Sequence, residues 1–174
     1  LMLSENMNQL YIIKWRTLGI TFHFQNNIKN LNKIKSKSQD IVFSAFALHY
    51  VDDLLKCFKE VKRVLKDKGI FVFSLDHPVY RTADYNTLKL KNSYFDVGRK
   101  TFTFSDHTKK FIFYAHTISE LYNTLVKAGF FVEKLIEPDS RKKYPYDPWY
   151  NLWEYKPKLL KMLPPTIVFK CVKK

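Results

Sequence analysis

Residues 40–78 constrain the fold more than any other stretch of this chain. They read DIVFSAFALHYVDDLLKCFKEVKRVLKDKGIFVFSLDHP. Ile41-Val42-Phe43-Ser44-Ala45-Phe46 is a short, nearly continuous apolar run, the pattern of a strand covered on both faces in a parallel sheet. Asp52 and Asp53 open an amphipathic helix in which Leu54, Phe58, Val61 and Leu65 fall at i, i+4, i+7 and i+11. Lys56, Lys59, Lys62 and Lys66 lie largely off that stripe, and acid at the start with base at the end suits the helix dipole. Gly69 supplies a left-handed stop, and Ile70 to Leu75 is a second buried strand. Residues 41–75 therefore predict a right-handed β-α-β unit. Polar residues stand at the carboxyl end of each strand, the edge along which an open α/β sheet holds ligands.

The flanks extend this pattern. Ser4-Glu5-Asn6-Met7 opens a helical stretch, with Ser4 as N-cap and Glu5 adding negative charge to the first turn. Gly19 to Phe24 alternates as a strand and ends at Asn26-Asn27. Residues 30–39 are polar and rich in Lys and Ser, a connection or a short irregular helix. From Val79 to Phe113 the periodicity weakens into loops and a hairpin around Gly98, so residues of about 79–115 form an inserted region. Thr117-Ile118-Ser119-Glu120 is a capping box with Leu121, Leu125 and Ala128 as the stripe behind it, and Gly129 ends that helix. Phe130 to Ile136 is a strand broken by Pro138, and Thr166 to Val172 is a last strand, suited to antiparallel pairing with it.

Composition sets the outer limits. The 174 residues fit one domain, and 46% apolar content supports a core. No run of 18 or more apolar residues predicts a membrane span. Leu1 to Asn8 lacks the basic start and apolar centre of a secretory signal. Cys57 and Cys171 are far apart and read as small buried hydrophobes of a reducing compartment, with the cytoplasm as the expected location. The formal charge of +14 invites a nucleic-acid reading, but it comes from 25 Lys against 5 Arg, beside 10 Asn and 4 Gly. Arg, the residue suited to bidentate phosphate and guanine contacts, is scarce, so a compositional origin is favoured over a nucleic-acid surface. The five His and two Cys show no metal-ligand spacing, and neither a nucleophile elbow nor a P-loop is present.

Ala47-Leu48-His49-Tyr50 after the first of the two central strands and Asp76-His77-Pro78 after the second carry a resemblance. With Leu3-Ser4-Glu5-Asn6-Met7, Asp147-Pro148-Trp149-Tyr150 and Pro164-Pro165-Thr166, they resemble, in order, a class I S-adenosylmethionine-dependent methyltransferase of type 11. The resemblance implies a Rossmann-like α/β sheet, mostly parallel with an antiparallel last strand. It implies S-adenosylmethionine as cofactor, bound by Ser4, Asn27, Ile28, Ser44 and Ala45, and a small-molecule methyl acceptor met by His77, Tyr80, Trp149 and Tyr150. His49 and Asp76 become the candidate catalytic residues, with no metal. Each has a structural alternative: His49 packed at the sheet edge, Asp76 bonding its loop, His77 shaping the turn before Pro78, and the aromatic residues covering the sheet.

This chain departs from the family pattern in two places. Met2 stands where an acid grips the cofactor ribose, and Gly19, Gly69, Gly98 and Gly129 are all isolated, so no Gly-x-Gly turn is present. The reading is of a single incomplete methyltransferase domain over residues 1–174, N-terminally truncated and lacking a first strand-helix unit of about 40 to 60 residues. A partner chain or second copy would then cover the exposed sheet edge. Two alternatives stay open beside methyl transfer: a degenerate non-catalytic fragment, and an RNA-binding or RNA-modifying protein.

Overall fold

The computed structural model describes residues 10–16, 19–25, 31–84, 86–103, 110–139 and 157–174. Its strands are β1 (Leu10–Arg16), β2 (Gly19–Gln25), β3 (Gln39–Ala45), β4 (Leu65–Asp76), β5 (Gly98–Thr103), β6 (Lys110–Ala115), β7 (Phe130–Ile136) and β8 (Thr166–Lys173). Helices are α1 (Leu54–Val64), α2 (Ile118–Ala128) and the single turn α3 (Pro157–Leu160). Six strands make one sheet in the order β2-β1-β3-β4-β8-β7, and β5 and β6 make a separate hairpin.

The predicted β-α-β unit is β3-α1-β4, with parallel register from Ile41 opposite Ile70 to Ala45 opposite Ser74. β8 runs antiparallel between β4 and β7, as expected of the last strand. β2, β3, β4 and β7 share one direction, and β1 is a second reversed strand. The outer edge of β3 is not open: it pairs with β1 from Tyr11 opposite Phe43 to Ile13 opposite Ile41. The helix start at Ser4 lies outside the described residues. Leu10–Arg16 is a strand, so no helix runs on through it; Tyr11, Ile12, Ile13 and Trp15 are strand-favouring residue types.

The core lies on one face of the sheet. Val42, Phe71, Phe73, Ile167, Phe169 and Cys171 point one way and are buried against Leu54, Cys57, Phe58 and Val61 of α1 and Leu121 and Leu125 of α2. The alternate residues, Ile41, Phe43, Ile70, Val72, Val168 and Val172, are only partly buried. Coverage of the central strands on both faces is therefore not what the described residues show. A short apolar run gives hydrophobicity, while alternation in burial depends on where the helices land. Cys57 and Cys171 are both buried in this core and form no disulfide. Burial pushes the Cys171 thiol up to about 12.

Capping follows the sequence closely at both helices. Asp53 accepts the Lys56 amide at 2.9 Å to start α1, and Thr117 accepts the Glu120 amide at 3.1 Å to start α2. Gly129 ends α2 at φ 90°, its N–H reaching Leu125 O and Val126 O. α1 ends differently from expectation. It stops at Val64; Leu65 is already extended and pairs with Gln39, and Lys68, not Gly69, takes the positive φ of 62°. Gly69 is needed for space, because a Cβ there would meet Lys66 O at 2.8 Å and Leu65 Cδ2 at 3.0 Å. Lys173 Nζ braces the same turn by donating to Leu65 O at 2.7 Å. Gly69→Ala is expected to cost about 1–3 kcal/mol through overpacking against backbone. A urea midpoint equal to wild type would show that the turn has room.

Candidate active site

β3 and β4 end side by side, and the chain turns sharply after each. Beyond β3, Phe46 adopts φ 50° and donates its amide to Ser74 O at 3.0 Å, a conformation rare for an aromatic residue. That turn leads into a 3-10 turn at Leu48–Tyr50, which carries His49. Beyond β4 come Asp76, His77 and Pro78, then a second 3-10 turn at Tyr80–Thr82. The segment 92–96 and the β5-β6 hairpin complete the wall of a cavity of about 260 Å³.

Among the described lining residues, the charges are paired with one another. Asp76 Oδ2 lies 3.4 Å from Arg81 Nη2, whose guanidinium sits 4.8 Å over the Phe113 ring. Asp96 pairs with Lys100. The imidazoles differ. His49 is 7% exposed, and its buried Nδ1 has no hydrogen-bond partner among the described residues. Burial holds its pKa at about 4; Asp76 pulls upward, while Arg81 and His116 push further down. His49 is therefore neutral at pH 7. His116, just before the α2 cap, is partly buried, and neither of its buried ring nitrogens makes a hydrogen bond among the described residues. Glu120 Oε2 approaches its Nδ1 to 3.2 Å without hydrogen-bond alignment.

The predicted site residues divide into three groups. His49 and Asp76 meet in the cavity wall. Ser44 and Ala45 stand at the end of β3, where the Ser44 hydroxyl is fully buried with no hydrogen-bond partner among the described residues. His77 and Tyr80 do not line the cavity. His77 accepts the Val79 amide at Nδ1 (3.2 Å), so Nε2 carries the proton and donates to Glu137 Oε1 at 2.8 Å. Its own amide donates to Pro165 O at 2.8 Å, so the side chain ties the turn to the residue after β7 and the backbone ties it to the start of β8. Tyr80 packs with Ala83, Leu159 and Leu160 in a small second core. Ser4, Asn27, Ile28, Trp149 and Tyr150 lie outside the described residues.

Sequence reasoning passed over Arg81, Tyr94, Lys100, Phe113 and His116, which also line the cavity. His116 had a usable signal, a polar residue between the end of a strand and a strong helix cap. The others come from a region without periodicity. Among the described residues, no group of three or more His, Cys, Asp or Glu side chains is arranged to hold a metal. Nor is any described helix long and apolar enough to cross a membrane.

Comparison with known proteins bears on this arrangement. Residues 3–73 match the family model described as a methyltransferase domain. No curated protein sequence matches the chain. Among solved structures, it is similar to a protein from Listeria monocytogenes assigned to the S-adenosylmethionine-dependent methyltransferases, at 24% identity and a TM-score of 0.66. That alignment covers 86% of this chain and 68% of the other. An S-adenosylmethionine-dependent methyltransferase from Mesorhizobium loti aligns at 22% identity and a TM-score of 0.61, over 84% of this chain and 67% of that one. One from Methanosarcina mazei aligns at 19% identity and a TM-score of 0.54, over 84% and 64%. The chain thus spans about two thirds of each solved chain. Over residues 3–73 the sequence matches a methyltransferase-domain model, and the sheet has the fold of these solved structures.

Proposed function

We propose that the protein transfers a methyl group from S-adenosylmethionine to a small molecule held in the cavity beyond β3 and β4. The observation that carries this reading is the position of His49 and Asp76 in one cavity wall at the carboxyl edge of a methyltransferase sheet. Ser44 and Ala45 are the described residues that would hold the cofactor. A polar group at the end of β3 suits the Ser44 hydroxyl, whose oxygen is buried without a partner among the described residues and gains by finding one.

Bound S-adenosylmethionine supplies an electrophilic methyl group on a sulfonium. The chain's own residues then have three tasks. The cavity wall orients the acceptor, which can provide much of the rate in a displacement reaction. Phe113, Leu75 and Leu121 keep part of the wall apolar and limit water. His49 takes a proton: it is neutral, and an oxygen that is gaining a methyl group becomes acidic enough to protonate even a base of pKa about 4. Asp76 holds Arg81 against Phe113 and thereby shapes the acceptor side.

Equilibrium dialysis of the full-length gene product against methyl-labelled S-adenosylmethionine tests the reading. Saturable one-to-one binding that S-adenosylhomocysteine displaces is the expected result. No saturable binding would overturn it.

A further inference from the structure

The cavity wall itself narrows the class of acceptor, an inference that rests on the methyltransferase reading above. We propose that it accepts an uncharged ring compound bearing a hydroxyl group, gripped between the imidazoles of His49 and His116.

Charge balance argues first. Among the described lining residues, the ionised side chains form two pairs, Asp76 with Arg81 and Asp96 with Lys100. A carboxylate or phosphate acceptor would have to take Arg81 or Lys100 from its partner, and an ammonium would have to take Asp76 or Asp96. In each case a partly exposed ion pair is broken, a modest cost that a neutral acceptor avoids. A neutral acceptor leaves both pairs intact.

The unsatisfied groups give the second argument. His49 Nδ1 and both ring nitrogens of His116 are buried, belong to residues lining one cavity and make no hydrogen bond among the described residues, although the Glu120 carboxylate stands 3.2 Å from His116 Nδ1. Buried polar atoms are normally paired, so two orphaned imidazoles in one wall call for a ligand that both donates and accepts. A hydroxyl does both through one atom, donating to one ring and accepting from the N–H of the other. His49 stays neutral in this arrangement, which agrees with its deep burial.

Size and wall chemistry supply the ring. About 260 Å³ exceeds the roughly 150 Å³ that an apolar protein cavity needs to bind benzene, so one ring with substituents, or two, can be held. Tyr94, Phe113 and Tyr114 give the wall aromatic faces, and aromatic pairs gain beyond their buried area.

The test uses phenol, benzoate and benzylamine as probes on the full-length protein, followed by the imidazole resonances of His49 and His116. Phenol is expected to shift both resonances saturably, with benzoate and benzylamine binding at least about tenfold more weakly, a difference of roughly 1.4 kcal/mol. His116→Phe keeps a ring but removes the hydrogen bonds, and should weaken phenol about tenfold while leaving S-adenosylmethionine dialysis unchanged. Equal or tighter binding of either charged probe would overturn the proposal, as would phenol moving neither resonance. If cofactor binding fails while phenol still shifts both rings, the neutral hydroxyl site stands and the methyltransferase reading falls.

Discussion

Phe73→Ala is expected to destabilise the protein by about 3–5 kcal/mol, the largest single loss any core position here should give. Phe73 is fully buried on the helix-facing side of β4. Its ring stacks on Phe169 of β8 at 4.9 Å and 9° and meets Phe71 at 4.9 Å and Phe58 of α1 at 5.7 Å. Truncation therefore opens a void where two strands and a helix converge, and the surrounding rings cannot all close on it. A whole domain is commonly stable by only about 5–15 kcal/mol, so the variant should unfold at a much lower urea concentration, if it accumulates folded at all. Phe131→Ala provides the contrast, since Phe131 is 53% exposed on β7 and should cost under about 1 kcal/mol. Similar urea midpoints for the two variants would mean that the aromatic cluster is not the centre of the core.

The second large effect is on the pH dependence of stability, and it belongs to His49. Its folded pKa of about 4 lies below the ordinary value of 6.5, with burial as the leading cause. As pH falls, the unfolded chain takes up this proton first, which favours unfolding. The contribution of neutral His49 is thus complete above about pH 6.5 and is lost as pH falls towards 4. The size is on the order of 3 kcal/mol. His49→Gln removes the titration and keeps a polar side chain. Wild type should therefore lose stability relative to the variant between pH 6.5 and 4, and the two curves should run parallel above pH 7. Parallel curves throughout would show that His49 is not buried in the folded protein.

Patterns local to one element read well from the sequence. Asp53 and Thr117 were identifiable as caps because each side-chain oxygen needs only an amide three residues on. β7 and β8 were bounded correctly by Gly129, Pro138 and the apolar alternation between Thr166 and Val172. What depends on packing between elements did not read. Leu65 completes the α1 stripe, yet it leaves the helix because β4 pairs with Gln39 there, and that moves the positive φ from Gly69 to Lys68. One-sided burial of β3 and β4 follows from both described long helices lying on the same face of the sheet.

The site shows the same division. His49 and Asp76 were found because strand ends are visible as apolar runs that stop at polar residues. His77 and Tyr80, one and four residues past Asp76, are drawn away by Glu137 and by Leu159 and Leu160 of the second core, partners more than fifty residues distant in sequence. Conversely, His116 reaches the cavity only because the β5-β6 hairpin folds back over it, and nothing in the weak periodicity of residues 79–113 fixes that.

The most direct test of the account is transfer itself. The full-length protein, given methyl-labelled S-adenosylmethionine and a protein-free metabolite extract, is followed for label entering a small-molecule product. Wild type is expected to label such a product, and His49→Gln, folded at pH 7.5, should do so about 100- to 10,000-fold more slowly. Cofactor bound without any labelled product, or labelling that His49→Gln leaves unchanged, would contradict the cavity beyond β3 and β4 as the site of methyl transfer.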